Sequence, residues 1–425
     1  MTIQDLLKGK SGCACGQAHT CAIRHIVIRS GAIQELAALC ADYSHILLVS
    51  DQNTYATCGD YVAAQLSRKI DRNIVFHCDG FLLPDEAAIQ RVDNAVTART
   101  QLLIGIGSGV INDLCKYVSH THGLPYYIVA TAPSMDGYAS MGAAMITHHM
   151  KTTFTAHVPA AIIGDVDILK NAPMRMIQSG FGDIIGKYSA LNDWKLAAQI
   201  TGETLCPYVY DLTYDTLQKT ERLAAGILKR DPETVQTLME ALVIIGIAMS
   251  FTGNSRPASG SEHHLSHYFE ITGIVFGRKY FLHGIDVAYS TVCTAAMRRR
   301  ILAPGDFPAR LPVHDREHWE RAIRRNYGSA AEGMIALQEQ CGYYADRYRE
   351  LYRAKWAEIR TILAEMPSAA HIRQILRTAG LDYAEFERQY GKPLIRDCML
   401  YAKDLKDRYT FLWIYYLLFA EEMQE

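Results

Sequence analysis

The sequence holds no apolar run of the length a membrane helix needs. Its longest, from about Ala241 to Phe251, falls far short of the ~20 residues required and reads as a buried helix. It has no excess charge of one sign: 43 Lys and Arg stand against 45 Asp and Glu, a formal net charge of -2. That balance removes the electrostatic case for nucleic acid or an anionic membrane as partner. The opening MTIQDLLKGKSG lacks an apolar leader, so a cytoplasmic protein is expected. No internal repeat or low-complexity tract stands out, and neither G-x-S-x-G nor H-E-x-x-H occurs, which argues against the common serine hydrolases and zinc proteases.

Cysteine is present in odd number, 11 in all, scattered as expected for reduced thiols. One cluster differs: Cys13, Cys15, His19 and Cys21 in CACGQAHTC are four zinc-compatible donors. Their C-x-C spacing is not the usual C-x-x-C and the segment sits near a terminus, so an irregular lead-in of small residues is the simpler account.

At 425 residues, 49% hydrophobic and 21% charged, the chain is an ordinary globular protein with two domains expected. Over the first ~165 residues short apolar runs alternate with helical patterns. Strands are expected at Ile23–Ile28, Ile46–Ser50, Asn73–His77, Gln101–Ile106 and Tyr126–Ala130, which implies crossover units and a mostly parallel α/β sheet. From about Asn171 onward the periodicity is helical, with long segments at Thr234–Phe251, Glu317–Tyr343, Tyr348–Glu365 and Asp404–Glu422. The division expected is 1–168, an α/β domain, and 169–425, an all-α domain.

Three loops carry candidate chemistry. The strand at 101–106 runs into Gly105, Gly107, Ser108 and Gly109 before a helix at Val110–Ser119, a turn that brings backbone and helix N-terminus close to a phosphate. Asp51 ends the strand ILLVS, where a carboxylate either accepts from ribose hydroxyls or caps the next helix. After YYIVA comes Thr131, Ala132, Pro133, Ser134, Met135, Asp136, Gly137, Tyr138, Ala139 and Ser140. Its hydroxyls suit a cofactor and Asp136 suits a substrate hydroxyl, while Asp136–Gly137 equally suits a plain turn. The second half contains Asp183 in SGFGDIIGK, His263, His264 and His267 in SEHHLSH, and His283 in FLHGIDV. One Asp and two His from separate helices make an open divalent-metal site. His263 and His267 share a helical face and His264 points elsewhere.

GIGSGVINDLCKY, TAPSMDGYAS, GFGDIIGKYSALNDW, SRPASGSEHHLSH and LHGIDVAYS follow one another over roughly residues 20 to 300. Together they resemble the sn-glycerol-1-phosphate dehydrogenase family, in its bacterial AraM-like branch. That family lies within the superfamily of iron-containing alcohol dehydrogenases, glycerol dehydrogenases and dehydroquinate synthases. The resemblance implies a dehydroquinate synthase-like two-domain architecture with the site in the cleft. It implies reversible reduction of dihydroxyacetone phosphate to sn-glycerol 1-phosphate by NADH or NADPH, in a homodimer of phospholipid metabolism. By motif position Asp183, His263 and His283 would bind zinc or nickel, with iron a third option, and Asp183 would also face substrate. Asp136 and His267 would touch substrate as catalytic residues. Gly107, Ser108, Gly109, Val110, Ile111, Thr131, Ala132, Pro133, Ser134 and Ser140 would touch the cofactor, with Asp51 near the adenosine ribose and favouring NAD. HGIDV departs from relatives that carry Glu where Asp286 stands. Arg256 is the candidate cation for the substrate phosphate, against a purely structural arginine. Rival readings are a dehydrogenase of an unphosphorylated polyol, a dehydroquinate synthase-like lyase or cyclase, and a non-catalytic metal-dependent module.

Overall fold

The computed structural model describes residues 2–147, 150–303 and 305–424. Strands β1 (His25–Arg29), β2 (Ile46–Asp51), β3 (Ile70–Phe76), β4 (Leu102–Gly107) and β5 (Tyr126–Ala130) match the expected apolar runs within a few residues. The sequence reading missed a hairpin of β6 (Gly142–Thr147) and β7 (Met150–Thr155), and a last strand, β8 (Ala161–Asp165). Six strands form one parallel sheet in the order β1-β8-β5-β4-β2-β3. Both faces are covered. Leu47 and Val49 of β2 enter one apolar cluster, and Ile46 and Leu48 enter the cluster on the opposite face, as alternation along a strand requires.

Beyond Asp165 the described residues contain no strand. The site is framed by α1 (Gly109–Thr121) from the sheet region, then α2 (Met174–Ile185), α3 (Lys187–Thr201), α4 (Pro207–Glu221), α5 (Pro232–Thr252), α6 (Ser261–Phe276) and α7 (His283–Leu302). Helix α5 shows why these segments start and stop where they do. Asp231 caps it by accepting from the Thr234 N–H at 3.0 Å, Pro232 occupies its first turn, and Gly253 ends it at φ 67°. It is long and apolar enough to cross a membrane by composition alone, but most of it is buried inside the fold. Its residues Leu238, Leu242 and Ile245 join the helical core, and Val243 and Ile247 the core against the sheet.

Three long helical expectations are corrected. The segment from Glu317 breaks at Gly328, whose φ of 52° ends one helix before Ala331–Cys341 begins. The segment from Tyr348 divides at Lys355 into Arg347–Ala354 and Trp356–Ala364. The last helix starts at Leu412, because Asp404 belongs to a separate short turn, Ala402–Leu405.

Candidate active site

Strand register places the three expected loops side by side. Ser50 of β2 pairs with Ile106 of β4, and Gly107 of β4 pairs with Ala130 of β5. Asp51, the glycine turn and the 131–140 loop therefore line one carboxyl edge of the sheet, where ligands of open α/β folds bind. Helix α1 begins at Gly109, and Ser108 precedes it without a capping side-chain hydrogen bond, so its first N–H groups face that edge. Gly107 is required there: a Cβ would lie 2.7 Å from the Ile111 side chain. Asp51 Oδ1 accepts from the N–H groups of Asn53 at 2.8 Å and Thr54 at 3.0 Å, which is the capping role.

The 131–140 loop is wedged between sheet and helices. Thr131 N–H donates to Gly107 O at 3.0 Å, and Ala132, Ser134 and Ser140 are buried. Lys116 of α1, fully buried, donates to Gly137 O at 2.9 Å and Gly142 O at 2.8 Å, with Ser140 Oγ at 3.4 Å. Ser140 Oγ itself donates to Gly137 O at 3.1 Å, inside its own loop. On the helical side the contact is backbone against backbone. A Cβ on Gly180 of α2 would meet Pro133 O at 1.9 Å, and one on Gly284 of α7 would meet Ser179 O at 1.9 Å. Ser179 Oγ bridges the same elements, donating to Ser134 O at 3.0 Å and accepting from Gly284 N–H at 3.1 Å.

Within this wedge the expected donors converge. One ligating atom each of Asp183 (α2), His263 (α6) and His283 (α7) lie within 4.8 Å of one another. His263 Nε2 is 3.6 Å from Asp183 Oδ1. Its Nδ1 is 2.6 Å from Glu262 Oε1, so the ring proton sits on Nδ1 and Nε2 keeps a lone pair toward the cluster. This carboxylate, oxygen and imidazole set suits a divalent cation with open coordination positions. His267, one turn along α6, has its ring centroid 5.5 Å from that of His283. His264 donates through Nδ1 to Gly260 O at 2.9 Å and faces away.

Lys187, to which the motif reading gave no role, ties the site together. Buried completely, its Nζ lies 2.6 Å from Asp136 Oδ2 and 2.8 Å from Asp183 Oδ1. Asp136 N–H also donates to Asp183 Oδ2 at 3.1 Å. Burial and the neighbouring Asp183 charge push the Asp136 carboxyl up to about 6, against the pull of Lys187. Burial would raise Asp183 too, but Lys187, His283 and His263 outweigh it and hold it at about 2. Burial opposes the Lys187 charge, yet the two carboxylates raise its pKa. Burial first, and the Lys187 charge second, keep His263 neutral, well below the usual imidazole value. Lys406 and Arg408 add to that depression.

Asp193 and Arg298 hold the start of α6. Asp193 Oδ2 accepts from Ser261 N–H at 2.7 Å, at the start of α6, and pairs with buried Arg298 at 3.1 Å. Arg298 also donates to Asn192 Oδ1 at 2.9 Å. Asp286 is buried, with both carboxylate oxygens within 2.9 Å of Tyr390 Oη. Arg256 is corrected. Its guanidinium forks onto Glu203, with Nε 2.6 Å from Oε1, and donates to Tyr409 O at 2.8 Å. It is 4% exposed, so its donors are spent on structure and a structural arginine is what the fold contains.

A family model described as iron-containing alcohol dehydrogenase matches residues 27–173. A glycerol-1-phosphate dehydrogenase (NAD(P)+) of Halalkalibacterium halodurans is 36% identical over 294 residues, 68% of this chain and 74% of its own length. A glycerol-1-phosphate dehydrogenase (NAD(P)+) of Geobacillus stearothermophilus is 30% identical over an alignment of 431 positions, gaps included, that covers 99% of each chain. A probable glycerol dehydrogenase from Sinorhizobium meliloti shares the fold at 20% identity, with a TM-score of 0.54 over 84% of this chain and 97% of that one. An archaeal Red Sea brine pool alcohol dehydrogenase does so at 14% identity, with a TM-score of 0.60 over 94% and 97%. The chain belongs to the glycerol-1-phosphate dehydrogenase family.

Proposed function

We propose that this enzyme reversibly reduces dihydroxyacetone phosphate to sn-glycerol 1-phosphate with NADH or NADPH at a divalent metal centre. The observation that carries this is the convergence of Asp183, His263 and His283 within 4.8 Å, beside a loop that also borders the glycine turn. Relatives described as glycerol-1-phosphate dehydrogenase (NAD(P)+) support the same reading. When bound, the nicotinamide supplies hydride and the cation supplies Lewis acidity at the substrate carbonyl.

The chain's own residues do the rest. N–H groups of Gly107, Ser108, Gly109, Val110 and Ile111 hold the cofactor pyrophosphate at the start of α1, and Thr131, Ala132, Pro133 and Ser134 form the adjoining wall. Asp136, fixed by Lys187, accepts from a substrate hydroxyl. His267 exchanges a proton with the substrate oxygen. Asp51 stands where it would accept from a ribose hydroxyl and repel a 2′-phosphate, so NADH is the preferred cofactor.

Lys406 and Arg408 both depress the His263 pKa, and a positive field there favours a phosphorylated substrate over a neutral polyol. Zinc, nickel and iron all suit the donor set. The boundary is placed at 168/169, between β8 and α2, and the working form is a cytoplasmic homodimer.

The test is nicotinamide absorbance with dihydroxyacetone phosphate, after metal stripping and re-addition of zinc, nickel or iron. Activity restored by one of them is expected. Equal turnover with dihydroxyacetone would favour the polyol reading, and product without net NADH change the lyase reading. His283→Ala should lose turnover and metal, counted by elemental mass spectrometry, together; full activity in that variant would sink the assignment.

A further inference from the structure

The N-terminal lead-in builds a second cluster, away from the one above. Sulfurs of Cys13, Cys15 and Cys206 and a ring nitrogen of His19 all lie within 4.8 Å of one another. Cys13 Sγ is 3.5 Å from Cys206 Sγ. His19 Nε2 is 3.5 Å from Cys15 Sγ and 3.4 Å from Cys206 Sγ. Ligand bonds of ~2.3 Å to sulfur and ~2.0–2.1 Å to nitrogen put the edges of a tetrahedral zinc site at ~3.6–3.8 Å. The observed edges agree to within a few tenths. They are far too long for a disulfide, whose sulfurs sit ~2.05 Å apart, and all the cysteines are free.

The surroundings prepare each donor. His19, 1% exposed, has Nδ1 2.8 Å from Phe251 O. It donates its proton to that carbonyl, and Nε2 turns its lone pair to the sulfurs. Its ring stacks on Tyr208 and packs against Phe251. Cys206 is the N-cap of α4 and is buried, so the start of that helix fixes its position. Gly12 at φ 62° and Gly16 at φ 81° turn the chain around Cys13, and Gly16 N–H donates to Cys13 O at 2.9 Å. Paired backbone hydrogen bonds between Lys10 and His19, 2.8 and 2.9 Å, close the loop. Cys21, expected as the fourth donor, is outside the cluster, and Cys206 takes that place from far along the chain.

We propose that Cys13, Cys15, His19 and Cys206 bind one structural zinc ion that staples the N-terminal segment to α4 and the end of α5. Four protein donors leave no position for substrate, the mark of a structural rather than catalytic site.

Stripped full-length protein, titrated anaerobically with Co²⁺ under reducing conditions, tests this. One equivalent of thiolate-ligated cobalt per chain should appear as a near-ultraviolet charge-transfer band and be displaced by zinc. Cobalt at Asp183, His263 and His283 meets no sulfur and gives no such band. Cys206→Ser and Cys15→Ser should lose the band and one zinc per chain, whereas Cys21→Ser keeps both. Should Cys206→Ser fail to fold, His19→Cys serves instead, retaining zinc with a stronger charge-transfer band. No band in the unmodified protein, loss of it in Cys21→Ser, or an intact mass short by two hydrogens would each overturn the proposal.

Discussion

Replacing Lys187 by methionine removes one positive charge and almost no volume. The ammonium sits 2.6 Å from Asp136 and 2.8 Å from Asp183, out of contact with water. Breaking one side of a buried ion pair costs ~3–5 kcal/mol. Asp136 recovers part of this by taking up a proton, leaving about 3 kcal/mol of lost stability in the metal-free protein. A dication at Asp183 restores the missing charge, so the loss should shrink in the metal-loaded form. The pH dependence follows from Asp136. Its carboxyl lies at about 6 in the fold against an ordinary 3.8, so between those values the folded chain keeps a proton the unfolded chain has released. Its contribution to stability is fully present below the unfolded value and falls as pH rises through the folded one. Without Lys187 the folded value climbs further, and the fall should extend above pH ~7. A neutral Asp136 is a poorer acceptor for a substrate hydroxyl, which costs kcat/KM about tenfold to a hundredfold. Urea midpoints of metal-free and metal-loaded protein across about pH 5–8, with steady-state kinetics, measure all of this. An unchanged metal-free midpoint with an unchanged pH slope would refute the reasoning.

Gly180→Ala drives a methyl group into Pro133 O, 1.9 Å away. It should lower stability by ~1–3 kcal/mol and kcat by on the order of 10²-fold, read by thermal melting and turnover; wild-type turnover would show the loop is not positioned by this contact. Arg256→Lys gives up the fork onto Glu203, and a loss of about 1–3 kcal/mol with unchanged KM for dihydroxyacetone phosphate is expected. A raised KM at full stability would return Arg256 to the substrate.

What the sequence disclosed, and what it hid, follows from what leaves a local pattern. Strands β2, β4 and β5 are legible because strands buried on both faces are short unbroken apolar runs, while the half-exposed edge strands β1 and β3 show only the short apolar cores IVI and IVF. The hairpin strands GAAMIT and MKTTFT mix small, polar and apolar residues and carry no such signal, and β8 is a five-residue run crowded between Pro159 and a helix. Asp183, His263 and His283 are legible as a set because histidines concentrate between 263 and 283 and the motifs keep an order. Lys187 and Glu262 are not, since a Lys or Glu in a helical pattern reads as surface until burial is known. The spacing Asp183–Lys187, one helical turn, was the available clue. Cys206 lies so far from CACGQAHTC that only the fold brings them together. Arg256 was misplaced by sequence adjacency, because its partner Glu203 comes from a separate segment.

The touch of Pro133 on Gly180, and of Ser179 on Gly284, has a bearing on how such an enzyme diversifies. Where main chain rests on main chain, peptide dimensions alone fix the separation and no side-chain exchange can adjust it. The spacing between the 131–140 loop and the helices that carry Asp183 and His283 is thereby hard to tune. Sequence change must therefore reach the site through other contacts, leaving that innermost joint untouched.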